Sequence, residues 1–229
     1  MAQNLNEVRA LIEGACARAG RSVEDVTLIA VSKTKPVSAV EEALKAGQQV
    51  FGENRVQELR EKYVALEGAP VSWHLIGTLQ SNKVKYLNEM ERLALIHSVD
   101  NEKLAMEIER QGEKCGRIFD VLLEVNMAHE DTKAGLSPEE AVDFLKRIAP
   151  LLHLNVKGLM TIAPFTEDAE SNRRYFAGLH ELMETMNAKK ILPQEMHILS
   201  MGMSGDYTVA IEEGATHVRV GTAIFGERQ

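Results

Sequence analysis

Eight short apolar, β-branched runs punctuate the chain, and each gap between them is filled by a segment of different periodicity. The runs lie at about residues 27–32 (TLIAVS), 49–51 (QVF), 72–77 (SWHLIG), 94–100 (ALIHSVD), 119–126 (FDVLLEVN), 156–163 (VKGLMTIA), 195–200 (EMHILS) and 217–221 (HVRVG). Their length and composition are those of buried strands. The gaps carry helix signals. Ser38 precedes AVEEALKAG, with Gly47 just past its end, and SPEEAVDFLKRIAP opens with Ser137 as N-cap, Pro138 at the first helical position and Glu140 closing a capping box. SGDYTVAIEEGA repeats the pattern up to Gly214, and an amphipathic segment from about Leu5 to Arg18 precedes the first strand.

Strands that alternate with helices pair in parallel through right-handed crossovers. Eight such units in 229 residues predict an α/β protein, a (β/α)8 TIM-type barrel with an extra N-terminal helix. An open doubly wound sheet is the structural alternative. No Pro/Gly/Ser-rich linker divides the sequence, so residues 1–229 are expected to form one domain.

Composition narrows the function classes. Hydrophobic residues make up 45% of the chain and the formal net charge is −8, which suits a globular protein and argues against nucleic acid as the partner. No apolar run approaches the roughly 20 residues that span a bilayer, and the N-terminal stretch lacks a secretory apolar core. A cytoplasmic protein without a membrane partner is expected. Cys16 and Cys115 stand outside any CxxC pattern, and the seven histidines show no metal-ligand spacing. Reduced thiols and no metal site follow.

In a barrel the chemistry sits at the C-terminal ends of the strands. In LIAVSKTKP, alternation puts Ile29, Val31 and Lys33 on one face, with Lys33 last. Desolvation of a lysine favours its neutral, nucleophilic amine; snorkelling out to water is the alternative on periodicity alone. After the seventh strand comes Met201-Gly202-Met203-Ser204-Gly205-Asp206, and after the eighth Gly221-Thr222. Barrel phosphate sites favour those two loops, where glycines admit an anion and Ser200, Ser204 and Thr222 supply hydroxyls. Arg219 shares the face of Gly221 and, if it points inward, needs either an acidic partner or a ligand acceptor. FGEN places Glu53 and Asn54 just beyond the second strand, with Asn54 also a candidate helix cap. His74 shares a face with Ile76, a position at which a lone histidine is commonly a satisfied core residue. Asn82 and Lys83 fall in a loop or helix start beyond the third strand.

The segments AVSKTKP, FGENRVQE, WHLIGTLQSNK, HSVDN, GLMTIAP, LSMGMSGD and VRVGTAIFG resemble, in order from about residue 27 to 228, the pyridoxal phosphate homeostasis proteins. These are similar in turn to the barrel domain of alanine racemase. The resemblance implies that pyridoxal 5′-phosphate (PLP) is the cofactor, bound as a Schiff base on Lys33. It implies that Ser200, Gly221 and Thr222 hold the phosphate, that Arg219 faces the pyridine nitrogen, and that Asn54 and His74 line the cofactor. It further implies maintenance of the PLP pool by buffering or supply, with indirect effects on amino-acid and keto-acid metabolism. No catalytic residue and no robust enzyme activity are expected, PLP-dependent apoenzymes are conceivable recipients, and the family leans toward monomers. Alanine racemases bring an opposing tyrosine from a second domain, which is not expected in a chain ending at Gln229. A weak amino-acid racemase is the alternative, and a cofactor-free barrel using Lys33 as a Schiff-base lysine is a third reading.

Overall fold

The computed structural model describes residues 1–130 and 133–226. The eight strands are β1 (Thr27–Val31), β2 (Val50–Glu53), β3 (Ser72–Leu75), β4 (Leu93–Val99), β5 (Phe119–Glu124), β6 (Leu154–Met160), β7 (Ile198–Met203) and β8 (His217–Val220). Each pairs in parallel with its neighbours in sequence, and β8 returns to β1, closing the barrel. The fold is therefore the (β/α)8 barrel expected from the alternation. Helices α1 (Ala2–Arg18), α2 (Val37–Lys45), α3 (Val56–Ala65), α4 (Glu102–Cys115), α5 (Pro138–Ile148), α6 (Arg173–Ala188), α7 (Tyr207–Glu212) and α8 (Thr222–Phe225) surround it. The segment between β3 and β4 is a 3-10 helix, Ser81–Leu87, which takes in Asn82 and Lys83. Among the described residues no helix is long and apolar enough to cross a membrane.

Most of the core lies between the sheet and the helices, where Trp73, Phe51, Phe119, Phe144 and Phe176 are fully buried. A second, small cluster of Leu95, Leu122 and Met160, with Ile198 against it, fills the barrel interior. Other buried residues on the strands are polar, among them His74, His97, Ser200 and Arg219. Cys16 is buried and Cys115 exposed, and both are free thiols.

Strand boundaries shift in ways that matter for the site. β2 runs on to Glu53, so that residue belongs to the sheet and not to the loop after it. β7 begins and ends three residues later than the apolar run suggests. Gly202, at φ +89, permits the extension, and the pairing with β8 steps from Ser200↔His217 to Met203↔Arg219. Ser38 is not a cap, because α2 starts at Val37 after Pro36, whose extended backbone makes the entry. Asn54 does not cap α3 either; Arg55 holds that position without a side-chain bond. The capping box of α5 forms as read, with Ser137 Oγ accepting from the Glu140 N–H and Glu140 Oε2 accepting from the Ser137 N–H. Replacing a serine N-cap costs about 1 kcal/mol. Ser137→Ala should lower unfolding stability by that amount in a urea titration, with no change in the far-ultraviolet circular dichroism of the folded state.

Candidate functional site

A cavity of about 460 Å³ opens at the C-terminal end of the barrel, within the range usual for small-molecule sites. Lys33, Asn54, Arg219, Gly221 and Thr222 all line it. Five residues read from separate parts of the sequence are thus brought to one place. Val31 and Ile76 supply apolar wall, while Ile162, Met203 and the exposed Phe165 form its lip. Asn54 reaches the wall because Gly77 lies behind it. A Cβ on residue 77 would sit 2.4 Å from the Asn54 carbonyl oxygen, so this packing tolerates no side chain there.

Ser200 and His74 are not brought to the cavity. The late register of β7 puts Ser200 mid-strand and fully buried in the interior. His74, buried on the inward row of β3, lies one step below Ile76. Both belong to a chain of hydrogen bonds that begins at the cavity floor. Arg219 Nη1 donates to Ser200 Oγ at 2.6 Å and Nη2 to the Thr161 carbonyl at 2.9 Å. Ser200 Oγ lies 2.9 Å from His97 Nδ1, and His97 Nε2 lies 2.9 Å from His74 Nδ1. Guanidinium only donates, so Ser200 accepts from Arg219 and has one hydrogen left to give. The polarity that gives the Ser200 hydroxyl an acceptor runs from Arg219 through Ser200 and His97 to His74, with both imidazoles carrying their proton on Nε2.

Burial keeps these rings neutral. Desolvation lowers His74 to about 3 and pushes His97 well down, and it lowers His217, whose ring centroid is 5.8 Å from that of His74, to about 4. Arg219 falls to about 10 through burial, partly offset by Glu124 and Asp206, and it stays cationic at neutral pH. Glu124, facing the same interior, rises to about 7 through burial and Asp100, against the pull of Arg219. Among the described residues Arg219 makes no direct ion pair, and its bonded partners are a hydroxyl and a carbonyl. A cation held this way, with donor capacity beyond its two recorded bonds, can receive a ligand acceptor from the cavity.

The opposite wall suits an anion. Ser204, Gly205, Gly221 and Thr222 converge there from the ends of β7 and β8, and Ser204 Oγ accepts from the Gly221 N–H at 3.2 Å. Asp206 closes the β7 loop by accepting from the Met203 N–H and from Asn172 Nδ2. Of the serines weighed from the sequence, Ser204 has the position anticipated for Ser200. The turn carrying Lys33 rests on a buried cluster that the sequence did not suggest. Lys62 Nζ donates to the Ser32 carbonyl, Glu53 Oε1 and Glu58 Oε1 at 2.7, 2.7 and 2.8 Å. The Glu58/Lys62 spacing, four residues apart on α3, looks like an ordinary surface pair; only the approach of β1 and β2 buries Lys62.

The alanine racemase N-terminal domain family matches residues 3–229. Pyridoxal phosphate homeostasis proteins of Aquifex aeolicus and Escherichia coli are 45% and 39% identical to the chain, covering 99% and 100% of it and 98% and 97% of their own lengths. The chain belongs to the pyridoxal phosphate homeostasis protein family. PipY of Synechococcus elongatus PCC7942, solved with PLP bound, is 37% identical, with a TM-score of 0.81 over 94% of this chain and 100% of PipY. The same protein without PLP gives a TM-score of 0.86 at 36% identity, over 99% and 100% of the two chains. An alanine racemase of Clostridium difficile, 16% identical, shares the fold at a TM-score of 0.72, over 98% of this chain and 58% of its own.

The neutral histidines and Glu124 leave opposite marks on stability. Below pH 6.5 the unfolded chain takes up histidine protons that the folded barrel refuses, so stability is lost as pH falls toward about 4 for His217 and about 3 for His74. Glu124 is kept protonated in the fold up to about 7, so its contribution is lost as pH rises from 4.5 to about 7. In urea unfolding between pH 4.5 and 6.5, His74→Gln should make stability rise less steeply with pH than in the parent, and Glu124→Gln should make it rise more steeply. Slopes that do not move would place these groups in water.

Proposed function

We propose that this protein binds PLP in the barrel-mouth cavity, covalently through a Schiff base of Lys33, and serves to buffer or supply the cofactor without robust catalysis. The observation that carries this reading is the convergence, on one cavity, of a half-buried lysine, a buried cation and a hydroxyl-and-glycine wall. An aldehyde, an aromatic ring nitrogen and a phosphate are the three groups of PLP that such residues would receive. The PLP-bound relative and the names of the homologues support it.

In this reading the phosphate lies against Ser204, Gly221 and Thr222, with Ser200 acting behind Arg219 and not on the ligand. Thr222 would offer its hydroxyl to the phosphate. Asn54 lines the cofactor, and His74 acts only through the hydrogen-bond chain below Arg219. Bound PLP supplies an electron sink for carbanions when its ring nitrogen is protonated. Arg219, cationic at neutral pH, would oppose that proton beside the nitrogen and weaken the sink. Binding is then favoured over transamination or elimination.

Racemisation needs acid/base groups on both faces of a substrate, and among the described residues no tyrosine lines the cavity. PLP-dependent apoenzymes are the natural recipients of a supplied cofactor, and a monomer in the cytoplasm would suit that task. Equilibrium binding tests the site. Lys33→Ala should lose the visible absorption of the adduct while retaining weaker binding of PLP. Ser204→Ala should weaken binding of PLP by about tenfold and leave pyridoxal, which lacks the phosphate, nearly unaffected. Equal losses for both ligands would remove Ser204 from the phosphate wall. Appreciable solvent-deuterium incorporation at the α-carbon of an amino acid would favour the racemase alternative.

A further inference from the structure

The geometry points to Lys62, Glu58 and Glu53 as positioning residues, a clamp with a buried Lys62–Glu53 pair and a half-buried Glu58 that fixes the turn on which Lys33 stands; the inference rests on the reading of Lys33 given above. None of the three lines the cavity, and they hold the backbone on either side of Lys33.

Residues 32–35 form a turn closed by the Lys35 N–H donating to the Ser32 carbonyl at 3.0 Å. Lys33 is its second residue and Thr34 its third, and Thr34 has φ +64. That position in a type II turn ordinarily belongs to glycine. A β-branched residue there is strained, and such strain persists only where the surroundings over-determine the backbone. Here they do so from both sides of Lys33. On the near side, Ser32 Oγ donates to Glu53 Oε1 at 2.6 Å, and the Ser32 carbonyl accepts from Lys62 Nζ. On the far side, the Thr34 N–H donates to Glu58 Oε1. Lys62 joins the two, because its three N–H groups go to the Ser32 carbonyl, Glu53 and Glu58 and an ammonium has no fourth to give.

A buried ion cluster could serve only to dock α3 on the sheet. Two features argue for more. The clamp grips the two neighbours of Lys33 in the chain, and one of those neighbours holds a conformation its own side chain disfavours. Without the Glu58 acceptor the turn would relax toward negative φ at Thr34, and the fraction of molecules with Lys33 presented to the cavity would fall. Apparent affinity scales with that fraction. The anion wall, built from the ends of β7 and β8, would be untouched.

The test separates covalent capture from ligand binding. PLP adduct formation is followed by its visible absorption, and affinity for pyridoxine 5′-phosphate, which has the ring and phosphate but no aldehyde, is measured on the same samples. Glu58→Ala should weaken adduct formation by about tenfold, the effect of a lost charge-assisted hydrogen bond, with pyridoxine 5′-phosphate affinity unchanged. Glu58→Gln keeps an acceptor for the Thr34 N–H and should lose less. Adding Thr34→Gly to either variant should restore capture, since glycine takes positive φ without a clamp. If Glu58→Ala does not fold, Glu58→Gln with and without Thr34→Gly carries the same comparison. Unchanged adduct formation in the Glu58 variants overturns the inference. So does an equal loss of both ligands that Thr34→Gly fails to reverse. Wild-type protein that binds pyridoxine 5′-phosphate but forms no adduct on Lys33 would instead overturn the reading of Lys33 itself.

Discussion

A permanent cation inside a barrel is the constraint around which this structure is arranged. Arg219 is 5% exposed, and an unsatisfied charge at that depth would cost several kcal/mol. The fold answers it with neutral partners. The Ser200 hydroxyl and the Thr161 carbonyl take its hydrogen bonds, while Glu124 and Asp206 act on it from beyond contact. Ser200 is held in turn by His97, and His97 by His74. Much of the polar interior is therefore a support for one guanidinium, and the direction of its hydrogen bonds follows from the guanidinium being a donor only. A carboxylate in direct contact would have neutralised Arg219 before any ligand arrived.

The cavity above it gathers three different chemistries because the barrel delivers the end of every strand to one face. Lys33 comes from the turn after β1, Asn54 from β2, Ser204 from β7, and Gly221 and Thr222 from β8. The fold is shared with alanine racemase at 16% identity, which speaks for the scaffold and not for the reaction. What distinguishes the site is its residues, and among these the buried cation on the floor is the one on which the proposed function turns.

Much of this was legible in the sequence. The eight apolar runs found their strands because buried parallel strands are continuous in hydrophobicity and short. Ser137, Pro138 and Glu140 marked their helix start because capping is local chemistry. Lys33, Arg219, Gly221 and Thr222 could be placed by strand alternation and by the usual location of barrel phosphate sites. Ser200 could not, because the three-residue displacement of β7 depends on Gly202 taking positive φ and on a register step against β8. Periodicity reads neither. The Lys62 cluster was equally hidden. Glu58 and Lys62 have the spacing of a solvated helical pair, and the burial of Lys62 arises only when β1 and β2 meet α3.

The central claim is that Lys33 captures the aldehyde of PLP in this cavity. Its most direct test is borohydride reduction of the protein equilibrated with one equivalent of PLP, followed by mass mapping of the pyridoxyl-modified peptide. The proposed function predicts a single stable adduct on Lys33, in a peptide also containing Thr34 and Lys35. A label spread over surface lysines, or none at all, would contradict it.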